Sequence, residues 1–493
     1  MYFSSTDYII VIVYLLGVAL FGIITSGKQK STKDYFLGSK NIPWWAACFS
    51  VVATETSTLT FISIPGLAYI TNMNFLQLAM GYLLGRIVVA AVFIPRYYKG
   101  DMETAYHFLG HRYGEPMRKY ASVTFIILRI FADGVRLFTT AIPIKFITGL
   151  GYLECIVIVG AITLVYSYVG GIKAVIWTDV VQMFIYIFGA IASMVVIYNL
   201  LPNGWSDVTA LASPKDKFQI FNFSFESFGK FFTGPYNFLG GIIGGAFLSM
   251  ASHGTDQLIV QRLLTCEDKK SSQKALIGSG VIVLVQFAIF LVIGVMLYAL
   301  YQGADYKTLK IGEYFLKKPD EIFPKFMIES LPVGISGLVV AGLLAASMST
   351  LSAAFNSLAS STVLDLFKKQ NRTQENELKL SRLATLFWGI VIIGTGLLFQ
   401  DETNPAVDYA LKIQSMIYGG LLGVFLLGIV FSKARLVDAV ISYTFSIVTL
   451  TLLFLLPQFK IMPALNLTWF TFFGVIIVFV VGNVTMLFKK SQF

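Results

Sequence analysis

The stretch "WWAACFSVVATETSTLTFISIPG", from Trp44 to Gly66, is apolar enough to enter a lipid phase, yet Glu55 stands in it among Thr54, Thr56, Ser57 and Thr58. A carboxylate in a bilayer costs on the order of 3 kcal/mol on insertion scales, so one that is present marks either a pathway or a paired partner. Oxygen-rich residue types of this kind suit cation coordination and hydrogen bonding to a polar solute. Ser349 and Thr350, in "ASMST", repeat the hydroxyl theme in a second apolar run. Charge recurs as Arg86 in "GYLLGRIVV" and as Arg129, Asp133, Arg136 and Lys145 in "ILRIFADGVRLFTTAIPIKF". The spacings Arg129/Asp133 and Asp133/Arg136 put these side chains on one helix face, where they can neutralise one another. A further cluster, His253, Thr255, Asp256 and Gln257, interrupts "GGAFLSMASHGTDQLIVQRLL". Simpler roles exist for all of these: small hydroxyl residues permit close helix packing in membranes, and Glu55 can form a structural ion pair with Arg86, Arg129 or Arg136. Lys145, near a helix end, can snorkel.

Other chemistries find little support. His107 and His111 have the spacing of two metal ligands on a helix but lack a companion such as H-E-x-x-H. No nucleophile elbow or phosphate-binding glycine loop is present, so no enzyme and no cofactor are expected. Cys48, Cys155 and Cys266 lack paired spacing, which indicates neither a disulfide framework nor a zinc site.

The elements that position these residues are membrane helices. Of 493 residues 56% are hydrophobic and 13% charged, against about 25% charged in a soluble domain, and the mean hydropathy is +0.74. Apolar runs of roughly 20 residues, long enough to cross the hydrocarbon core, recur along the whole chain. The net charge of +10 is dispersed among loops, which points to topology and the lipid bilayer and not to nucleic acid. The start "MYFSSTDY" has no basic region, and Lys28, Lys30 and Lys33 follow the first apolar run, so this run reads as a span and not a cleaved signal.

Thirteen transmembrane helices are expected, centred near residues 17, 54, 85, 135, 162, 189, 248, 288, 345, 390, 418, 445 and 477. Basic residues fall on every second side: Lys28 to Lys40, Arg96 to Lys119, Lys173, Arg262 to Lys274, Lys368 to Arg382, Lys433/Arg435 and Lys489/Lys490. That side is cytoplasmic by the positive-inside rule, which places the N-terminus outside and the C-terminus inside. The stretch "KKQNRTQENELKL" reads as a solvated linker there. Span 2 is interrupted by polar residues and so is span 7, which divides spans 2–6 and 7–11 into two five-helix halves of opposite orientation. This implies an all-α, five-plus-five inverted-repeat secondary transporter, whose broken helices offer free carbonyls near the midplane. Within one membrane domain, 1–43 holds the first span and loop, 44–201 the first repeat, 202–234 an outer loop, 235–431 the second repeat and 432–493 the last two spans.

Five stretches resemble the sodium/solute symporters: "DYFLGSKNIPWWAACFS", "AYHFLGHRYG", "YSYVGGIKAVIWTDVVQ", "TDQLIVQR" and "AGLLAASMSTLSAAFNSLASSTVLDLF". The resemblance covers essentially the whole chain and implies a sodium site made by the carbonyls of Ala53, Thr56 and Ala346 with the hydroxyls of Ser349 and Thr350. The candidate solute contacts are Glu55, Ser57, Thr60, Asp133, Arg136 and Asp256. The proline carriers of the family have an acidic residue at the place of Glu55, and the sugar carriers an amide. The glutamate that sugar-binding members present on span 3 is absent from "LQLAMGYLL". The sialic-acid carriers place an arginine on span 4, nearer Ala132 than Arg136, and their loop is most similar to "AYHFLGHRYG". The expectation is a sodium-coupled symporter in the plasma membrane importing a small polar organic solute by alternating access. Glu55, Asp133 and Asp256 balance Arg86, Arg129 and Arg136, so one sodium leaves the centre positive, and a carboxylated solute is favoured over a neutral sugar or polyol. A channel would need a ring-forming filter. A sensor would need a signalling domain, and the chain ends at Phe493 after its last span.

Overall fold

The computed structural model describes residues 3–225, 227–234, 236–367, 373–399 and 405–488. Lys368, Lys369, Arg372, Lys489 and Lys490, and the start of the acidic loop "QDETNPAVD", lie outside the described residues. The main helices are α1 (Ser5–Ser26), α2 (Trp44–Glu55), α3 (Thr58–Ile70), α4 (Phe75–Val92), α5 (Ala105–Tyr113), α6 (Glu115–Thr148), α7 (Tyr152–Leu200) and α8 (Gly245–Gly254). After them come α9 (Gln257–Leu263), α10 (Lys269–Leu300), α11 (Ile335–Ser360), α12 (Gln374–Leu398), α13 (Pro405–Val430), α14 (Leu436–Leu455) and α15 (Phe470–Phe488). Each expected span centre falls on one of these helices. The protein is not wholly helical: β1 (Lys310–Ile311) and β2 (Tyr314–Phe315) pair antiparallel in the loop between α10 and α11.

Among the described residues, eight helices are long and apolar enough to cross a membrane, and the bent pair α2/α3 makes a ninth. The expected spans that fall short include α6 and α8/α9, which hold Arg129, Asp133, Arg136 and Asp256. Polar residues placed for function lower the hydropathy by which a span is recognised.

Local sequence explains the breaks. α2 and α3 meet at 64°, with Thr56 and Ser57 extended between them and the Ser57 hydroxyl accepting the Thr60 N–H to start α3. α8 stops at Thr255 and α9 restarts with Asp256 as its cap, accepting the Leu258 N–H at 2.8 Å. The spans expected near 162 and 189 are joined without a loop in α7, which kinks at Gly171 (φ 56°, ψ −151°). A Cβ there would lie 2.5 Å from the Tyr35 carbonyl oxygen, so both backbone and packing require glycine.

α11 is the centre of the molecule and α1 lies at its rim: 94% of the span beginning at Ile335 is buried inside the protein, against 22% of α1. The Asp7 carboxylate of α1 accepts the N–H groups of Gly334 and Gly337, each at 2.8 Å, which caps the first turn of α11. α6, at about 1.5 Å per residue, is about 51 Å long and projects beyond the hydrocarbon core.

Candidate functional site

The break after α2 leaves the last carbonyls of that helix without intrahelical partners. Val52 is served by the Thr56 N–H and hydroxyl, at 3.1 and 2.9 Å. The next two carbonyls turn to α11: Ser349 Oγ donates to Ala53 O at 2.8 Å and Thr350 Oγ1 to Thr54 O at 3.2 Å. Both hydroxyls also lie 3.1–3.2 Å from Ala346 O. These five oxygens are neutral, come from two elements and are buried. A hard monovalent cation suits such a set, because it needs its hydration oxygens replaced without a fixed negative charge. Thr56, expected to give its carbonyl, is engaged through its hydroxyl. Its hydroxyl accepts from Gln286 Nε2 at 2.6 Å and from the Tyr186 hydroxyl at 3.3 Å, while Thr54 supplies the second carbonyl facing α11. The signal for Thr54 is positional, since it is the next orphan carbonyl of the same helix end.

The residues expected to meet a solute divide into three groups. Ser57 and Thr60 are part-exposed at the start of α3, with hydroxyls 3.4 Å apart. Glu55 is ion-paired to Arg86 of α4, which also donates to Ser279 Oγ at 2.7 Å, and His253 Nε2 lies 3.6 Å from the same carboxylate. Arg86 is fully buried, whereas 19% of the Glu55 side chain is exposed. The paired-partner alternative is therefore the arrangement seen, with Arg86 as the partner.

The third group is a cluster of charge around α6. Asp256, 1% exposed, is bound by Arg129, by the Tyr418 hydroxyl and by its own helix cap. Asp133 is completely buried between Arg129, at 3.4 Å, and Arg136, at 3.0 Å. Both acids thus hold the arginines and are buried. Arg136 differs from its neighbours. Its side chain is 23% exposed, while Arg129 is 3% exposed, and its second amine donates to Gln414 Oε1 of α13 at 2.8 Å. Ser415, the next residue, lines a cavity of about 860 Å3 with Leu78 of α4, Leu248 of α8 and the 456–469 loop. That cavity opens on the side opposite the Lys433/Arg435 loop. A hydroxyl chain relates the groups: Thr140, one turn after Arg136, donates to Thr58 of α3 and accepts from Ser347 of α11, both at 3.1 Å.

On the basic side, buried charges and caps join the helix ends. Arg118 donates to Asp365 at 2.8 Å and to Leu364 O at 2.9 Å, and Thr104, the cap of α5, donates to Asp365 at 2.6 Å. Arg112 of α5 binds the carbonyls of Gly428 and Phe431 at the end of α13, at 2.9 and 2.7 Å. A second buried pair, Arg262 with Asp179 at 3.1 Å, is supported by Ser50. Arg118 and Arg262 were expected among loop charges, but both are buried and paired. Asp179 lies in "YSYVGGIKAVIWTDVVQ", where its partner could not be read from spacing.

Paired broken helices and a neutral oxygen set between a break and a continuous helix define an ion-coupled secondary transporter. Residues 35–444 match the model of the sodium:solute symporter family, and the chain belongs to that family. It is similar to the sodium/sialic acid symporter NanT of Aliivibrio fischeri, with 29% identity over 99% of this chain and 94% of the relative. The sodium/sialic acid symporter SiaT of Proteus mirabilis is 28% identical over 90% and 89%. The sodium-coupled monocarboxylate transporter 1 of Xenopus laevis is 27% identical over 89% and 70%. Among solved structures, a substrate-bound outward-open Na+-coupled sialic acid symporter superposes with a TM-score of 0.86 at 26% identity, covering 98% of both chains. Mhp1, a nucleobase-cation-symport-1 transporter, shares the fold at a TM-score of 0.55 and 13% identity. The protein is accordingly a multi-pass, sodium-coupled symporter of the plasma membrane that carries a small molecule, and not an enzyme.

Proposed function

We propose that the solute carries a carboxylate and that Arg136 binds it. The observation that supports this is the unequal exposure of the arginines: Arg86 and Arg129 are spent on buried acids, while Arg136 keeps a 23% exposed side chain beside the cavity-lining α13. The central charges Glu55, Asp133, Asp179 and Asp256 equal Arg86, Arg129, Arg136 and Arg262 in number. One sodium at Ala53, Thr54, Ala346, Ser349 and Thr350 makes the centre positive, and a buried uncompensated charge is expensive. A carboxylate restores neutrality and meets the guanidinium in charge-assisted hydrogen bonds. The sialic acid and monocarboxylate solutes named for the relatives are of this class.

The architecture we assign is thirteen spans in a bilayer with spans 2–6 and 7–11 as inverted repeats, the N-terminus outside and the C-terminus cytoplasmic. The large cavity then faces outward, and the Arg118–Asp365 cluster closes the cytoplasmic side. One sodium moving into an interior about 100 mV negative releases roughly 2.3 kcal/mol, but one sodium carried with one carboxylate moves no net charge, so that pair is concentrated by the sodium gradient alone and more than one ion is needed for the potential to contribute. A thermal-stability screen of the purified protein, with and without sodium, across sugar acids, monocarboxylates, amino acids and neutral sugars tests the reading, since a ligand of the folded state raises its melting temperature. Stabilisation by a carboxylate, lost in Arg136→Ala, is the expected result. Stabilisation by a neutral hexose or inositol, undiminished by that substitution and not competed by carboxylates, would overturn it.

A further inference from the structure

Gln414 is bound at both ends of its amide. Its oxygen accepts from Arg136 Nη2 at 2.8 Å, and its Nε2 donates to the Tyr418 hydroxyl, which donates in turn to Asp256 at the cap of α9. Four groups therefore form one chain from Arg136, through the neighbour of the cavity-lining Ser415, to the break between α8 and α9. The other amine of Arg136 is held by Asp133, which is completely buried and shared with Arg129. Of the two acceptors on Arg136, only Gln414 is part-exposed and uncharged.

We propose that the Gln414 amide oxygen holds the place on Arg136 that the solute's carboxylate takes, so that Gln414 sets selectivity for charge and passes binding on to the broken helix. This rests on the reading of a carboxylated solute given above. The direction of exchange follows from the acceptors: a carboxylate brings a full opposite charge and two oxygens that a guanidinium can bind bidentately, whereas the amide offers one neutral oxygen. A carboxylate arriving beside Ser415 displaces Gln414 and leaves Asp133 in place, because Asp133 is charged, completely buried and shared with Arg129. Displacement frees the amide that positions Tyr418, so the hydrogen bonding around Asp256 changes with the arrival of the solute. A neutral solute cannot outcompete Gln414 and leaves the chain intact.

The test uses the full chain, purified in detergent with sodium, and reads affinity from thermal shifts with N-acetylneuraminate, lactate and gluconate as carboxylate probes and glucose and inositol as neutral ones. Gln414→Leu removes the competing acceptor at similar volume. A carboxylate that stabilises the wild type is expected to bind this variant about fivefold more tightly, the equivalent of one ordinary hydrogen bond. Gln414→Glu fixes a carboxylate on Arg136 and is expected to weaken the same probe at least about tenfold. The melting temperature with sodium alone reports folding for each variant. If the leucine variant does not fold, Gln414→Asn, too short to reach Arg136, is expected to tighten binding in its place. Unchanged or weakened binding in the leucine or asparagine variant, with a carboxylate response in the wild type, overturns this inference alone. A wild type that answers only glucose or inositol overturns the reading of the solute and this inference with it.

Discussion

Asp365, at the far end of the central span, accepts the Nε–H of Arg118 at 2.8 Å, and the two residues are separated by 247 positions in the chain. Both side chains are buried, at 0% and 5% exposed, so the pair joins the start of α6 to the end of α11 out of reach of water. Removing one member of such a pair leaves a charge without compensation, at a cost of about 3–5 kcal/mol. Arg118→Ala and Asp365→Ala are each expected to lower the melting temperature of the purified protein. The double variant Arg118→Met/Asp365→Asn is expected to recover most of the loss, and a double variant no better than the singles would show that the pair is not the unit.

The proposed sodium site makes a sharper demand. Replacing Ser349 and Thr350 together by alanine removes two of five oxygens while leaving the apolar packing of α11 in place. Sodium affinity, read from the sodium dependence of stability or of uptake, is expected to fall by at least about tenfold, since each contact to a charged group is worth about 1.5–3 kcal/mol. Wild-type sodium dependence in the double variant would place the ion elsewhere.

Glu55 now carries a different expectation from the one its position in a broken span suggests. Its partner Arg86 is fully buried, so Glu55→Gln should reduce the amount of folded protein by leaving that arginine unbalanced, on the order of 3 kcal/mol. Adding Arg86→Met should restore folding. Normal stability of Glu55→Gln with transport alone impaired would assign the carboxylate to ion or solute instead.

Lys217 lies in the 202–234 loop, 6% exposed, with its ammonium donating to the Tyr69 carbonyl at 2.6 Å and lying 4.3 Å from the Tyr298 ring centre. Burial lowers its pKa from the usual 10.5 to about 8. The folded protein thus releases this proton at lower pH than the unfolded chain, so between about pH 8 and 10.5 the unfolded state binds more protons and stability rises with pH. Relative to Lys217→Met, the wild type should gain melting temperature from pH 8 to 10. A parallel pH profile in the two proteins would contradict this.

Much of the architecture could be read from composition and periodicity because the bilayer dictates it: an apolar helix must be long enough to cross, and a polar interruption must be placed for a reason. Glu55 and Asp256 thereby marked both broken helices, and Ser349 and Thr350 were placed through their resemblance to a known pattern. What stayed hidden was pairing across the fold. Arg262 reads as a loop charge because basic residues follow it, and its partner Asp179 is 83 positions away. Gln414 and Tyr418 have no sequence signal, since an amide and a phenol in an apolar run suit helix packing equally well. The pairing of Glu55 with Arg86 was one of three arginine alternatives, and only the packing of α2 and α4 against α10 decides between them.

The Asp7 cap has a mechanical consequence. Asp7 ties one end of α11 to α1, and Asp365 ties the other end of the same span to α6. Anchored at both ends, α11 serves as a stator, and Ser349 and Thr350 are fixed with it. Ala53 and Thr54 belong to a rod already severed at Thr56. An ion held between the two would be a rivet through stator and rod. Once it leaves toward the low-sodium side, the end of the rod is held to the stator by two hydroxyl contacts alone, with the Glu55–Arg86 pair tying it to α4.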